Sequence, residues 1–177
     1  MPPNLITEVL GLISRYNLTK IGRVVGGGAE RQDSVYRGLQ VVREETAGVI
    51  VVHDAVRPFV KSEEIRAVIE RAAGTGAALM ALAATDTIKQ VKSGRVSRTL
   101  DRRRIYYAQT PQAFRFSIIH EAFERAYADH FMGTDESQLI ERLGHRVSVV
   151  EGSPINIKIT RPFDLKLAEV IQAEFFE

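Results

Sequence analysis

Gly48-Val49-Ile50-Val51-Val52-His53-Asp54-Ala55-Val56-Arg57-Pro58 joins a β-branched run to a polar turn. The continuous apolar stretch up to His53 predicts a strand buried on both faces, as in a parallel sheet. It ends at Asp54, and the Arg57-Pro58 pair forces a turn, because proline restricts the residue before it. Upstream, Leu5, Val9, Leu12, Ile13 and Tyr16 recur at helical spacing and predict a helix ending near Asn17. Ile21 to Val25 reads as a short strand stopped by Gly26-Gly27-Gly28. A polar helix follows from about Asp33, with Val35, Leu39 and Val42 on one side. Downstream, Ser62 is placed to cap a helix carrying Ile65, Val68 and Ile69, and Glu63 and Glu64 suit its positive end. Gly74-Thr75-Gly76 stops that helix, and Ala77 to Ala83 is the next buried strand. Alternating helices and strands imply an α/β fold with a mostly parallel sheet and helices on both faces.

The rhythm breaks at Thr87 to Leu100, where Ile88, Val91, Val96 and Leu100 are scattered among Lys and Arg around Ser93-Gly94. That pattern predicts a protruding, solvent-exposed β-arm. Ile105 to Gln109 reads as a strand, with Tyr106 and Tyr107 as packing residues. Ile118, Ile119, Ala122, Phe123 and Ala126 make a helix, and Thr134 or Asp135 can cap another running through Leu143. Arg146 to Val150 is a strand and Ile155 to Ile159 a short extended run. Thr160 and Pro162 open a final helix with Leu167, Val170, Ile171 and Phe175.

The 177 residues suit one domain, with 45% hydrophobic and 26% charged residues, and so an ordinary packed core rather than disorder. Lys+Arg 24 against Asp+Glu 22 gives +2, which does not argue for nucleic acid. The absence of cysteine removes disulfides, thiolate metal sites and thiol catalysis, and fits a reducing compartment. Met1-Pro2-Pro3-Asn4 shows neither a basic nor an apolar leader, and no run approaches a membrane span. The expectation is a cytoplasmic protein (or one of the equivalent plastid stroma), with no membrane partner.

Three segments fall where α/β sheets collect ligands, at the carboxyl ends of strands. Gly26-Gly27-Gly28-Ala29-Glu30-Arg31-Gln32-Asp33-Ser34 lies between a strand and a helix. It suits an anion-binding loop or a plain flexible turn. Neither the dinucleotide nor the Walker pattern fits, because Arg31 takes the third glycine position and no Gly-Lys-Ser/Thr follows. Asp54 is suited to hold Mg²⁺ and Arg57 to fork onto a phosphate; an Asp-capped turn with a salt bridge is the structural alternative. Lys158, in Asn156-Ile157-Lys158-Ile159-Thr160-Arg161-Pro162, can neutralise a phosphate or sit as an edge lysine. His53 reads as packed rather than catalytic. His120, His130 and His145 lack metal-ligand spacing. With no Ser-His-Asp or Cys constellation, covalent catalysis is not indicated.

Taken in order, Gly27-Gly28-Ala29-Glu30-Arg31-Gln32-Asp33-Ser34-Val35, His53-Asp54-Ala55-Val56-Arg57-Pro58, Asp86-Thr87-Ile88-Lys89, Thr99-Leu100-Asp101-Arg102, Thr110-Pro111-Gln112, Thr134-Asp135-Glu136 and Asn156-Ile157-Lys158-Ile159-Thr160-Arg161-Pro162 closely resemble the 2-C-methyl-D-erythritol 4-phosphate cytidylyltransferase family. The resemblance implies a Rossmann-like nucleotidyltransferase domain over residues 1–177, with a dimerisation arm at about 85–103. It implies Mg²⁺-dependent transfer of a cytidylyl group from CTP to methylerythritol phosphate, a step of isoprenoid precursor synthesis, with pyrophosphate as the other product. On that resemblance Gly27, Gly28, Ala29, Arg31, Ser34 and Ala55 contact the nucleotide. Asp54 ligates the metal, and Arg57, Thr87, Arg102, Thr134 and Lys158 surround the polyol phosphate. Arg102 and Lys158 position it for attack, and Thr87 and Arg102 serve the partner's site in a homodimer.

The family's opening strand and glycine-rich loop, with an Arg and a later Pro-Lys-Gln, have no counterpart here. The chain therefore reads as an N-terminally truncated domain missing its first βα portion, and is expected alone to release almost no pyrophosphate. A ribitol 5-phosphate cytidylyltransferase, or a non-catalytic CTP-binding or dimerisation remnant, are the competing readings.

Overall fold

A computed structural model describes residues 2–43 and 47–176; Met1, read above as the start of a leaderless terminus, lies outside them. A single 3₁₀ turn, Pro3–Leu5, leads into α1 (Ile6–Arg15). The elements that follow are α2 (Arg31–Leu39), β1 (Val49–Val52), α3 (Ser62–Thr75), β2 (Ala77–Ala83), β3 (Lys89–Lys92), β4 (Arg95–Thr99), β5 (Tyr106–Arg115), α4 (Phe116–Ala128), α5 (Glu136–Arg142), β6 (Ser148–Glu151) and α6 (Pro162–Phe175). The main sheet has the order β1-β5-β2-β6. β2 and β6 are parallel, while β5 runs antiparallel to both β1 and β2. Three of the four strands therefore share one direction, and β5 is threaded between them in the other.

The pleat sends alternate residues to opposite faces. On one face Ala77 and Phe114 join Leu39, Phe116, Ile119, Phe123, Leu139 and Ile140 beneath α2, α4 and α5. On the other, Ala78, Met80 and Ala113 pack on Val68 and Ala72 of α3. Helices thus cover both faces, as the alternation predicts. A third cluster seats α6, through Ala168 and Ile171, on Phe59 and on Ile155, Ile157 and Ile159.

Several expectations are corrected. Residues 21–28 form no regular strand. The segment predicted to be buried on both faces is a half-buried strand that pairs only with β5 among the described residues, because an edge position leaves one side open. Ser62 opens α3 rather than capping it. Lys61 holds the cap position, and its N–H donates to the Glu64 carboxylate at 2.7 Å. At α5 the cap is Asp135, whose carboxylate accepts from the Gln138 N–H at 2.9 Å; Thr134 lies outside the helix. Tyr106 and Tyr107 are about half exposed rather than packed. Residues 155–159 cross beside the Asp54 turn without forming a regular strand, fixed by the Ile159 N–H donating to Val56 O at 2.9 Å.

The arm forms as predicted. Among the described residues β3 and β4 pair only with each other, and Ser93 and Gly94 take φ of 49° and 75°, which suits a tight hairpin turn. Every residue of both strands is exposed.

Candidate active site

The site is built where β5 departs from regular pairing. Its register with β2 moves from Leu79↔Gln112 to Ala81↔Ala108, so Gln109 to Pro111 bulge opposite Met80. Bulges re-aim side chains. Here they bring Gln109, Thr110 and Gln112 to a cleft of about 250 Å³, shared with Arg31, Asp54, Arg57, Thr134, Asp135 and Lys158.

Asp54 is its focus. The Lys158 Nζ lies 2.9 Å from Oδ2 and the Arg57 Nε 3.8 Å from the same oxygen. Arg31 donates to Oδ1 through Nε and Nη2, at 3.4 Å each. Burial on its own pushes the Asp54 carboxyl up, but Lys158 and Arg31 outweigh it and hold it below the ordinary carboxylate value. Arg57 is shifted down, because burial outweighs its attraction to Asp54. Its Nη1 donates to Asn156 O at 2.7 Å, and its buried Nε makes no hydrogen bond.

Arg31 links the glycine loop to this cleft. Its Nη1 and Nη2 donate to Glu136 Oε1 and Oε2 at 2.7 and 2.9 Å, a bidentate pair on a carboxylate only 1% exposed. Burial lowers the Arg31 value, but the bonds and charge of Glu136, with Asp54, raise it overall. The α5 end is tied to the sheet by Gln112, which donates to Asp135 Oδ2 at 2.9 Å and accepts from the Ser137 N–H at 3.2 Å. Gln32 ties α2 to the segment before α5, donating to Phe131 O and accepting from the Gly133 N–H. Thr134 is thereby held at the rim, with its N–H and hydroxyl both donating to Gln138 Oε1.

The glycine loop is shaped from within. Gly28 donates its N–H to Ser34 Oγ at 3.1 Å, and that hydroxyl donates to Glu30 O. A Cβ at Gly28 would lie 2.1 Å from Asp33 Cβ, so no other residue fits without moving α2. Gly27 O accepts from Arg37 Nη1, while Ala29 and Ala55 are exposed.

The structure therefore brings Arg31, Asp54, Arg57, Thr134 and Lys158 together. Gly27, Gly28 and Ala29 only precede Arg31 in the chain, and Ser34 lines a separate groove with Gly22, Arg23 and Gly38. Thr87 and Arg102 stay outside, exposed at the base of the arm, where Arg102 Nη1 donates to Thr85 O. His53 is not packed as expected. It is exposed and bridges Thr110 and Arg57 through its two ring nitrogens. Residue patterns alone assigned no role to Glu136, Gln112, Gln109, Thr110 or Asn156. The signal was present for three of them, since Gln109, Thr110 and Gln112 are polar interruptions in a buried strand.

Among the described residues no three His, Asp or Glu side chains converge on one point. The donor set therefore does not make a caged cation site. A lone carboxylate beside Arg31, Arg57 and Lys158 does suit Mg²⁺, which usually takes one or two carboxylates and completes its shell from phosphates and water. No helix is long and apolar enough to cross a membrane among the described residues.

The profile of 2-C-methyl-D-erythritol 4-phosphate cytidylyltransferase matches residues 7–174. The protein of that name from Syntrophus aciditrophicus is 54% identical over 155 residues, covering 87% of this chain and 66% of its own length. The one from Halalkalibacterium halodurans is 43% identical, over 96% of this chain and 73% of its own. Among solved structures, 4-diphosphocytidyl-2C-methyl-D-erythritol synthase from Anaerococcus prevotii superposes with a TM-score of 0.88 at 30% identity, covering 97% of this chain and 76% of that one. The enzyme from Thermus thermophilus gives 0.77 at 36%, covering 84% and 72%. With its sequence matched over nearly its whole length and its fold superposed on these proteins, the chain belongs to the 2-C-methyl-D-erythritol 4-phosphate cytidylyltransferase family.

Proposed function

We propose that this chain works in cytidylyl transfer from CTP to 2-C-methyl-D-erythritol 4-phosphate, with the chemistry centred on the Asp54 cleft. The observation that carries the reading is one carboxylate facing three cations, Arg31, Arg57 and Lys158, in a cleft built from the family's motifs. A phosphate oxygen of the polyol phosphate attacks the α-phosphorus of CTP, and pyrophosphate leaves. Both reactants are anions, so fixed positive charge must offset their repulsion before they can lie in line.

Lys158 and Arg57 bind the polyol phosphate and orient it, and Thr134 donates from the rim once released from Gln138. Arg31, already fixed by Glu136, faces the nucleotide phosphates. The backbone of Gly27 and Gly28, with Ala29, Ser34 and Ala55, contacts the base and ribose. Asp54 would hold Mg²⁺, which would supply charge neutralisation to the phosphates, while Lys158 and Arg31 stay within reach of the Asp54 carboxylate. Thr87 and Arg102, outside the cleft of their own chain, serve the cleft of a second copy in a homodimer.

Calorimetry with CTP and Mg²⁺, paired with a pyrophosphate assay, tests this. Saturable CTP binding that is lost in Asp54→Asn is the expected result, and its absence would overturn the reading. Pyrophosphate release requiring both CTP and methylerythritol phosphate assigns the whole reaction to this chain. Binding without release leaves it as a CTP-binding module, and faster release with ribitol 5-phosphate would replace the polyol.

A further inference from the structure

His53 stands at the junction of β1 and the turn Asp54 to Arg57, which is closed by the Arg57 N–H donating to Asp54 O at 3.0 Å. The imidazole spans that turn from outside. Its Nε2 lies 3.0 Å from Arg57 O, and its Nδ1 lies 3.1 Å from Thr110 Oγ1. Thr110 Oγ1 in turn accepts from the Asp54 N–H at 3.0 Å. The chemistry of the partners orders this chain. A carbonyl can only accept, so Nε2 must carry the hydrogen that meets Arg57 O. The neutral ring then presents Nδ1 as an acceptor, and the Thr110 hydroxyl donates to it. The sequence of donors is Asp54 N–H to Thr110, Thr110 O–H to His53, and His53 Nε2–H to Arg57.

Both backbone ends of the turn are thus held through one ring, and β5 is tied in through the Thr110 bulge. The side chains that depend on this turn are the Asp54 carboxylate and the Arg57 guanidinium, 3.8 Å apart in the cleft. The ring has no nitrogen left over for a substrate, which argues against proton transfer by His53 itself.

We propose that His53 is a positioning residue that acts through the Nε2–H tautomer. It fixes the Asp54–Arg57 turn so that carboxylate and guanidinium meet the ligand already oriented. The inference about ligand binding rests on the functional reading above; the inference about the tautomer does not.

The test uses the whole chain and three variants. Gln at this position can reach Arg57 O with its amide N–H, whereas Asn is too short to do so and can only engage Thr110. In ¹⁵N-imidazole spectra near neutral pH, His53 should show the Nε2–H tautomer, and the Nδ1–H tautomer would overturn the proposal. The Arg57 Nε–H resonance should be dispersed in the wild type and in His53→Gln and should collapse to the free-chain position in His53→Ala. CTP with Mg²⁺ should bind about 3- to 10-fold more weakly to His53→Ala and His53→Asn, as expected for one lost hydrogen bond. His53→Gln should recover most of that loss, with Asn and Gln variants unfolding at similar temperatures. Equal weakening of Gln and Ala, or wild-type binding by Ala, would refute the assignment. If the wild type binds no CTP, the functional reading fails, and the tautomer and the Arg57 resonance still decide the role of His53.

Discussion

The Asp54 cleft and the β3–β4 arm carry two parts of one expected polyol-phosphate site, and they are built in opposite ways. In the cleft, each cation has an anionic or carbonyl partner in the same chain: Arg31 on Glu136 and Asp54, Arg57 on Asn156 O and Asp54, Lys158 on Asp54. The arm region 89–104 holds seven Lys and Arg residues and one acid, Asp101, so its positive charge cannot be closed internally. Asp101 pairs with Arg103 alone among the described residues. The cleft is therefore preorganised by a single chain, while the arm presents its charge outward for something else to meet. The contrast gives physical content to the proposal that Thr87 and Arg102 act on a second copy.

The largest effect is expected at Arg31. Removing it leaves Glu136 buried without its counter-charge, so Arg31→Ala should lower stability by about 3 kcal/mol in urea unfolding. A loss under about 1 kcal/mol would mean that the cleft is not held by this pair. Gln112→Ala should follow at about 1–3 kcal/mol, because Asp135 and the Ser137 N–H both lose a buried partner. Lys158→Ala should cost less, under about 1 kcal/mol, since the side chain is 43% exposed and Arg31 and Arg57 still face Asp54, and should mainly weaken binding of the polyol phosphate.

Acid sharpens the comparison further. The Asp54 value is lowered on folding, so its contribution to stability is complete above the unfolded value of about 3.9 and is lost as pH falls through the folded value. Unfolding free energy measured against pH should drop below about pH 4, and Asp54→Asn should flatten part of that slope. At the small end, replacing Val91 and Val96 by Ser should move the stability of the monomer by no more than about 0.5 kcal/mol, because both are exposed on the arm. A larger loss would show that the arm packs on its own chain.

The parts legible in the sequence are those with local causes. Ala77 to Ala83 was readable because an unbroken apolar run starts directly after Gly76, and the strand takes all of it but Ala84. The arm was readable because Ser93-Gly94 sits between short alternating runs. The edge position of β1 was not, since a run of four β-branched residues looks the same at the centre and at the margin of a sheet. Resemblance drew the site residues together, but how they are held was out of reach. Arg31 and Glu136 are 105 positions apart, and no local rule says that Glu136 is the buried carboxylate while Glu63 is an exposed one. The bulge at Gln109 to Pro111 was hidden in the same way, because it is defined by register with β2.

If the proposed function holds, a nucleotide phosphate enters the Asp54 cleft while the glycine loop ahead of Arg31 contacts the same nucleotide. The most direct measurement is a ¹H–¹⁵N titration of the chain with CTP at fixed Mg²⁺. Shifts should concentrate at Gly27, Gly28, Ser34, Asp54, Ala55 and Lys158, with the arm residues 89–99 unmoved. Shifts confined to the arm, or none in the loop and the Asp54 turn at saturating CTP, would contradict it.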